Sequence, residues 1–284
     1  MTLAAPAIRC LNLGCGNRFH PAWTNVDFNC TGPGVIACDL RKGLPFADAS
    51  FDVVYHSHVL EHFASDQAPA FLRECYRVLS AGGTIRVAVP DLEAIARNYL
   101  QSLAGALAGD HASAERHRWM MLEMYDQSVR EKSGGAMAEY LRNPDACMWE
   151  FVLGRLGAQA QELMPAPGAP PAPVAAARRR SIARQIAGCL RHPNRLRELF
   201  LQLVLGHEYE ILQVGRFRRG GEIHQWMYDR LSLARLLIDA GFVEPGVRGA
   251  VDSRIPCWAA YHLDTEPDGT VYKPDSLFME AVKP

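Results

Sequence analysis

Short apolar runs that end at turn or acidic residues recur through the first 90 residues of the chain. They cover residues 8–13, 23–28, 34–38, 51–56 and 84–89. Residues 58–63 start in a helical pattern, and residues 68–79 have apolar side chains at helical spacing. Strands that alternate with helices predict a parallel α/β sheet with its ligand site at the carboxyl ends of the strands.

The pattern changes after the first 98 residues. Residues 99–221 show helical periodicity without strand signals, and we interpret them as a helical insertion that acts as a substrate lid or contacts a partner. Within it, the Pro/Ala-rich residues 164–174 predict an exposed linker. Residues 1–98 and 222–284 are predicted to form one core, because strand and helix signals return near the end of the chain: a helix at 230–240 and strands at 242–251 and 276–282.

The composition excludes several classes of protein. Of 284 residues, 49% are hydrophobic and 21% are charged, which is ordinary for a globular chain. The formal net charge of −1 gives no overall field that would attract nucleic acid, so none is expected as a partner. The first residues lack a secretory pattern, and no run approaches the roughly 20 apolar residues that cross a bilayer. We therefore expect a cytoplasmic location.

One basic stretch leaves a membrane contact open. Residues 178–205 set seven arginines among apolar side chains, a pattern that suits the anionic inner face of a membrane. Pro193 divides the stretch, which favours a solvated helical pair that closes over the active site.

The eight cysteines are scattered without a CxxC pair, which indicates reduced packing thiols rather than a metal site. Oligomerisation is left open.

The turn after the first strand has the chemistry of a ligand cradle. Gly14 and Gly16 let the backbone approach a ligand where a Cβ atom would collide. Asp27 ends the second predicted strand and Asp39 ends the third. A carboxylate can accept two hydrogen bonds from a ribose diol, and a second carboxylate can accept one from an adenine amino group. The ordered set indicates a nucleoside-containing ligand rather than a mere turn with two helix caps.

These residues resemble the class I S-adenosylmethionine-dependent methyltransferases, within them the type 11-like branch found with bacterial surface-polysaccharide and glycan genes. The resemblance rests on four motifs in family order and on a later block, which together cover somewhat under half of the chain: LNLGCGN at 11–17, NVDFN at 25–29, the segment 38–63, the segment 71–93 and the block 220–242.

The resemblance implies a Rossmann-like seven-stranded sheet with its last strand antiparallel and S-adenosyl-L-methionine as the cofactor. The implied cofactor-binding residues are Asn12, Gly14, Cys15, Gly16, Asn17, Asp27, Phe28, Asp39, Leu40 and His56. Two features depart from the family pattern. Asn12 stands where an acid is usual, and about a dozen residues between Gly14 and Asp27 are too few for a full first helix.

Methyl transfer from a sulfonium needs an aligned acceptor and, for a hydroxyl, a base. Imidazole has an unperturbed pKa near neutrality, so the candidate bases are histidines. We predict His58 as the catalytic base because it follows the fourth strand, with His224 second because it lies in the resembling 220–242 block. The resemblance also implies that His56 borders the reactive methyl, whereas His62 is expected to be structural.

Two further groups admit alternatives. His58, Glu61 and His62 would share one helix face, and an E-x-x-E-H arrangement at this place binds a divalent metal in some related methyltransferases. With histidine first here, Zn, Mn or Fe would suit the set, but a helix start with no metal is favoured. Trp226, Tyr228 and Asp229 suit either a sugar-binding pocket or core packing before the next helix.

The main hypothesis is O-methylation of a sugar hydroxyl in a glycan, glycolipid or nucleotide-linked precursor. A methyltransferase of small molecules or natural products is the nearest alternative. Asn12 and the short first turn also leave room for a non-catalytic scaffold in a glycan-assembly complex. A nicotinamide-dependent oxidoreductase is disfavoured, because the turn lacks the third glycine and the opening helix of that fingerprint.

Overall fold

The computed structural model describes residues 8–142, 148–158 and 193–284. These ranges contain seven strands and eight α-helices. The strands are β1 Cys10–Leu13, β2 Thr24–Asp27, β3 Val35–Ala37, β4 Phe51–Ser57, β5 Leu79–Pro90, β6 Val243–Arg248 and β7 Ser276–Val282. The helices are α1 Ala68–Val78, α2 Leu92–Leu107, α3 His111–Val129, α4 Gly135–Arg142, α5 Trp149–Leu156, α6 Pro193–Leu205, α7 Glu208–Arg219 and α8 Arg230–Asp239.

All seven strands form one sheet in the order β3-β2-β1-β4-β5-β7-β6. Strands β1 to β5 pair in parallel, and β7 runs antiparallel to both β5 and β6. This confirms the predicted α/β fold with an antiparallel last strand. The order reverses beside β1, so the carboxyl ends of β1, β2 and β4 meet at one edge of the sheet, where ligands bind in open α/β folds.

Two local predictions differ from the structure. The run 84–89 is the end of a longer strand, because Leu79 already pairs with Phe51 and the intervening residues bulge out before Thr84 pairs with Val53. The helical start predicted at 58–63 is only a 3-10 turn at Leu60–His62. His58 has a φ of +54°, which no α-helix contains, and its N–H donates to the carbonyl of Ala88.

The link between β1 and β2 is as short as the sequence predicts. Residues 14–23 are all described, and they form turns without a helix. The tips of β1 and β2 are therefore joined by a compact loop. That loop lies at the same edge of the sheet as the start of the 3-10 turn after β4.

The described helices of the predicted insertion have an apolar cluster of their own. Ile95 of α2 packs there with side chains of α3, α4 and α5, apart from the main core between the sheet, α1 and α8. Helix α2 runs unbroken across the predicted boundary at residue 99. The division into core and insertion stays a prediction.

The linker at 164–174 and residues 178–192 of the basic stretch lie outside the described residues. The rest of the stretch is α6, which begins at Pro193 and exposes Phe200 and Leu203. In the ranges that the structure covers, no helix combines the length and the apolar character needed to span a membrane. Contact of the basic stretch with a membrane surface stays a prediction.

Candidate active site

The glycine turn after β1 depends on the absence of a side chain at Gly14. Its φ is +65°, and a Cβ atom built there would lie 2.3 Å from Cγ2 of Val59. The N–H groups of Gly14 and Cys15 both donate to the carbonyl of Val26, which fixes the turn to the neighbouring strand. Bare backbone is therefore held at the edge of the sheet, as a close-fitting ligand requires.

Asp27 holds the second glycine of the turn. Its Oδ2 accepts a hydrogen bond from the N–H of Gly16 at 2.8 Å, and its Oδ1 accepts one from the N–H of Asn29 at 3.1 Å. Thr31 donates its hydroxyl to the carbonyl of Gly16 at 2.6 Å. Each carboxylate oxygen has further lone-pair capacity, so Asp27 can accept from a ligand diol while it orients the turn.

Asn12 supports the turn in place of the usual acid. It is buried, and its Nδ2 donates to the carbonyl of Arg18 at 3.0 Å and to Oδ1 of Asn25 at 3.2 Å. Both amide hydrogens are thus used within the protein. Asn12 still lines the first cavity described below, through which its side chain can contact a ligand.

Two cavities meet at Gly14 and His58. The first, of about 200 Å³, is lined on the turn side by Asn12, Cys15, Gly16, Asn17 and Arg18. The second, of about 380 Å³, is lined on the strand-tip side by Asp27, Phe28, Asp39 and Leu40. The structure therefore brings all the predicted cofactor residues except His56 to two connected openings.

Asp39 has a structural role as well as a place in the second cavity. It caps the 3-10 turn at Leu40–Lys42, and its carboxylate forms an ion pair with Arg41 at 2.8 Å. The side-chain hydrogen bond from Arg41 lowers the pKa of Asp39. The carboxylate is therefore ionised at neutral pH and can accept a hydrogen bond from an amino group.

His56 lies in the core rather than in the site. It is fully buried, its ring packs edge-on against Phe71, and burial lowers its pKa to about 4. Within the part of the chain that the structure describes, its ring nitrogens have no hydrogen-bond partner, and it lines neither cavity. The structure thus places His56 away from the position predicted for the reactive methyl, because its side chain points to the α1 face of β4.

His58 stands where the two cavities join. Its Nε2 lies 2.8 Å from Oγ of Ser276, and its Nδ1 lies 3.1 Å from Oε1 of Glu61. The carboxylate orients the imidazole at Nδ1, while Nε2 lies against the hydroxyl of Ser276. The assignment of His58 as the base stays a prediction.

His224, the second candidate base, is packed behind the site. It is buried, and its Nε2 lies 3.9 Å from Oε1 of Glu61. Burial lowers its pKa to about 3. The ring contacts that of His62 at a centroid distance of 4.9 Å, and His62 lines the second cavity. His224 is therefore one layer further from the openings than His58.

The sequence reasoning missed side chains that the segment before β7 brings to the site. Lys273 and Leu263 line the first cavity, and Ser276 contacts His58. Burial lowers the pKa of Lys273, although Asp275 and Glu61 oppose this effect. An antiparallel last strand starts at the edge of the sheet where the parallel strands end. The predicted topology therefore already indicated that residues just before this strand lie near the site.

Residues 219–222 and Gln225 close the far side of the second cavity. Beyond them, Trp226 is 48% exposed and lines a separate cavity of about 320 Å³ with Tyr228, Asp229 and Arg235. Asp229 forms the capping box of α8 with Ser232, and Tyr228 is buried. Of the predicted cluster, Trp226 alone presents a large part of its surface to a ligand.

Comparison with known proteins finds similarity to methyltransferases over part of the chain. Residues 18–87 match the model of a methyltransferase domain. A stretch of 57 residues is 47% identical to a probable S-adenosylmethionine-dependent methyltransferase of Mycolicibacterium smegmatis, and it covers 19% of this chain. The match spans about a fifth of the length of that curated relative, at 21%.

Solved methyltransferase structures are similar over most of the chain, but distantly. One from Thermotoga maritima has 15% identity and a TM-score of 0.39 over 99% of this chain and 84% of its own. A putative methyltransferase of Haloferax volcanii has 13% identity and a TM-score of 0.39 over 98% and 83%. The assignment of the methyltransferase fold rests on the strand order given above rather than on these scores.

The residues that line the two openings fit S-adenosyl-L-methionine, the cofactor of the methyltransferases that this chain resembles. Gly14 lines both openings, and its lack of a side chain lets the turn pack closely against Val59. Asp27 and Asp39 line one opening, as a ribose and an adenine require, and Arg18 and Lys273 line the other, where cations suit a carboxylate. The two openings join at His58.

Proposed function

We propose that this protein transfers the methyl group of S-adenosylmethionine to a sugar hydroxyl of a glycan, glycolipid or nucleotide-linked precursor. The observation that carries the proposal is the position of His58 at the junction of the two cavities, with its Nδ1 3.1 Å from the buried carboxylate of Glu61. A base at the junction touches both a cofactor on one side and an acceptor on the other.

The cofactor supplies a methyl group already bonded to a positively charged leaving group. The protein aligns the acceptor hydroxyl, and Nε2 of His58 takes its proton as the new C–O bond forms and the C–S bond breaks. Glu61 holds the ring and stabilises the imidazolium. For this step the acceptor hydroxyl takes the position that the hydroxyl of Ser276 holds, 2.8 Å from Nε2.

The choice of a sugar rests on two supports. The chain resembles a branch of methyltransferases associated with glycan genes, and Trp226 offers an exposed indole beside a cavity. An aromatic ring can stack on the apolar face of a sugar while polar neighbours bind its hydroxyls. Asp229 is committed to the cap of α8, so the polar neighbours available are Ser65, Arg235 and Asp239.

Incubation of the full chain with methyl-labelled cofactor tests the acceptor class. The panel contains oligosaccharides, nucleotide sugars and lipid-linked sugars, with phenols and other small hydroxyl compounds as the alternative class. We expect label on a sugar and, after mild methanolysis, on a sugar oxygen. Label that appears only on a non-carbohydrate acceptor would replace the proposal with a small-molecule methyltransferase.

The scaffold alternative is favoured by Asn12, whose amide hydrogens are both used within the protein. Calorimetry with S-adenosylhomocysteine separates it from an enzyme. A scaffold with a degenerate site binds neither the cofactor nor its product, whereas the proposed enzyme binds the product.

A further inference from the structure

Behind His58 lies a buried carboxylate that the proposed reaction only partly explains. Glu61 has no exposed surface, and among the described residues neither of its oxygens has a hydrogen bond of good geometry. A buried carboxylate without compensation is costly. Its charged or polar neighbours at close range are three imidazoles: Nδ1 of His58 at 3.1 Å, Nε2 of His224 at 3.9 Å and the ring of His62.

Three of these side chains already face one another. Ligand atoms of Glu61, His62 and His224 all lie within 4.8 Å of one another. Metal bonds of about 2.0–2.2 Å to nitrogen and oxygen place such atoms roughly 3.3–3.6 Å apart around a tetrahedral ion. Rotations of the side chains would therefore suffice to bring the three atoms onto an ion, without a change of fold.

The protonation pattern suits metal binding. Nδ1 of His62 lies 3.1 Å from the carbonyl oxygen of Ile223, which can only accept, so this nitrogen carries the proton and Nε2 has a free lone pair. A second hydrogen bond of this kind is how metal-bound histidines are usually oriented. The ring of His62 is thus in the form that binds a cation.

We propose that Glu61, His62 and His224 bind one divalent transition-metal ion. Two imidazoles and one carboxylate select zinc, iron, cobalt or manganese over magnesium and calcium, which prefer oxygen ligands. The ion would neutralise the buried carboxylate, and His58 would remain a neighbour of that carboxylate, at 3.1 Å, rather than a ligand. The proposed ligands therefore differ from His58, Glu61 and His62, the group that the sequence suggests. In the folded chain His224 takes the place of His58 in this group.

The location gives the ion a role in catalysis. His62 lines the second cavity, beside Gln225 and Glu222, so an open coordination position on that side would face an acceptor. A bound ion lowers the pKa of a coordinated hydroxyl and holds it in place. This role rests on the proposed function, whereas binding of the ion does not.

The test uses the full chain after treatment with a chelator and gel filtration. Zinc and cobalt ions alone are titrated by calorimetry, and bound metal is counted by elemental analysis. We expect one equivalent per chain, with magnesium a weak competitor. Glu61→Gln and His224→Ala should each weaken binding by about 100-fold or more, and His111→Ala, which removes an exposed imidazole at the start of α3, should leave it unchanged.

The visible spectrum of the wild-type cobalt form keeps the proposal testable if the variants do not fold. Bands of a low-symmetry imidazole and carboxylate site support it, and an intense thiolate charge-transfer band would place the ion on cysteine and overturn it. Absence of stoichiometric binding, or full affinity in both Glu61→Gln and His224→Ala, also overturns it. Methyl transfer by a metal-free chain would refute the catalytic role of the ion alone, and metal binding without methyl transfer would refute the proposed activity alone.

Discussion

The two sides of the cleft are built in different ways. The strand-tip side consists of Gly14, Asp27 and Asp39, which lie within one short segment and work through backbone groups and half-exposed carboxylates. The histidine side consists of His58, Glu61 and His62, which lie together after β4, and of His224, which comes from a distant part of the chain; these side chains are mostly buried. The first side suits recognition of a constant ligand, and the second suits chemistry that needs tuned and desolvated groups.

Because the two sides differ in this way, substitutions on one side should affect cofactor binding and substitutions on the other should affect turnover. A change on the strand-tip side should weaken cofactor affinity, because its groups are the predicted cofactor-binding residues. A change on the histidine side should lower turnover at unchanged cofactor affinity. A substitution that affects both quantities equally would contradict this division.

The largest effect is expected for His58→Ala. Loss of a positioned general base typically lowers turnover by about 10²–10⁴-fold, and affinity for S-adenosylhomocysteine should stay within about twofold. Initial rates with labelled cofactor and calorimetry measure the two quantities, with His111→Ala as the matched histidine control. Full turnover of His58→Ala at neutral pH would exclude His58 as the base and make His224 the next residue to test.

Gly14→Ala should give the next largest effect. The new Cβ atom would collide with Val59 in a left-handed backbone conformation, at a cost of about 2–4 kcal/mol of folding free energy. Gly82→Ala is the matched control, because Gly82 also has a positive φ, of +75°, but nothing lies within 4 Å of its added Cβ. Chemical denaturation should show a clearly larger loss for Gly14→Ala, together with loss of cofactor binding. Equal losses for the two variants would mean that the collision with Val59 contributes nothing.

The same contrast explains what could be predicted from the sequence. Gly14, Asp27 and Asp39 follow consecutive strands, and parallel strands present their carboxyl ends at one edge, so local pattern was sufficient. His56 could not be placed, because both faces of a central parallel strand are buried and alternation does not say which face meets the cavity.

The pairing of Glu61 with His224 depends on contacts between distant segments. Gln225 donates its N–H to the carbonyl of Glu61 at 2.7 Å and its side-chain amide to the carbonyl of His62 at 2.9 Å, and these bonds seat His224 beside the carboxylate. No periodicity in either segment specifies this contact. The helix face proposed for His58, Glu61 and His62 was wrong for a related reason, since the left-handed conformation of His58 breaks the helix before it starts.

A smaller effect is expected for Asp27→Ala. Loss of a charged hydrogen bond to the ribose should weaken cofactor binding by about 1–3 kcal/mol, which calorimetry with S-adenosylhomocysteine measures. Part of the loss reflects the turn, since Asp27 also accepts from the N–H of Gly16. Thr31→Val removes another hydrogen bond to Gly16 without touching a carboxylate and serves as the control. Equal losses in both variants would indicate that Asp27 acts only by shaping the turn.

The smallest effect is expected for Asp39→Ala, about 1 kcal/mol or less of cofactor affinity, because its carboxylate is already paired with Arg41 and caps a 3-10 turn. Its two roles can be separated with S-inosylhomocysteine, which lacks the adenine amino group. If Asp39 accepts a hydrogen bond from that group, Asp39→Ala lowers affinity for S-adenosylhomocysteine and leaves affinity for the inosyl compound nearly unchanged, since the interaction is already missing. If Asp39 is only a cap, the substitution lowers both affinities by the same factor, and the strand-tip side then recognises the nucleoside through its ribose at Asp27.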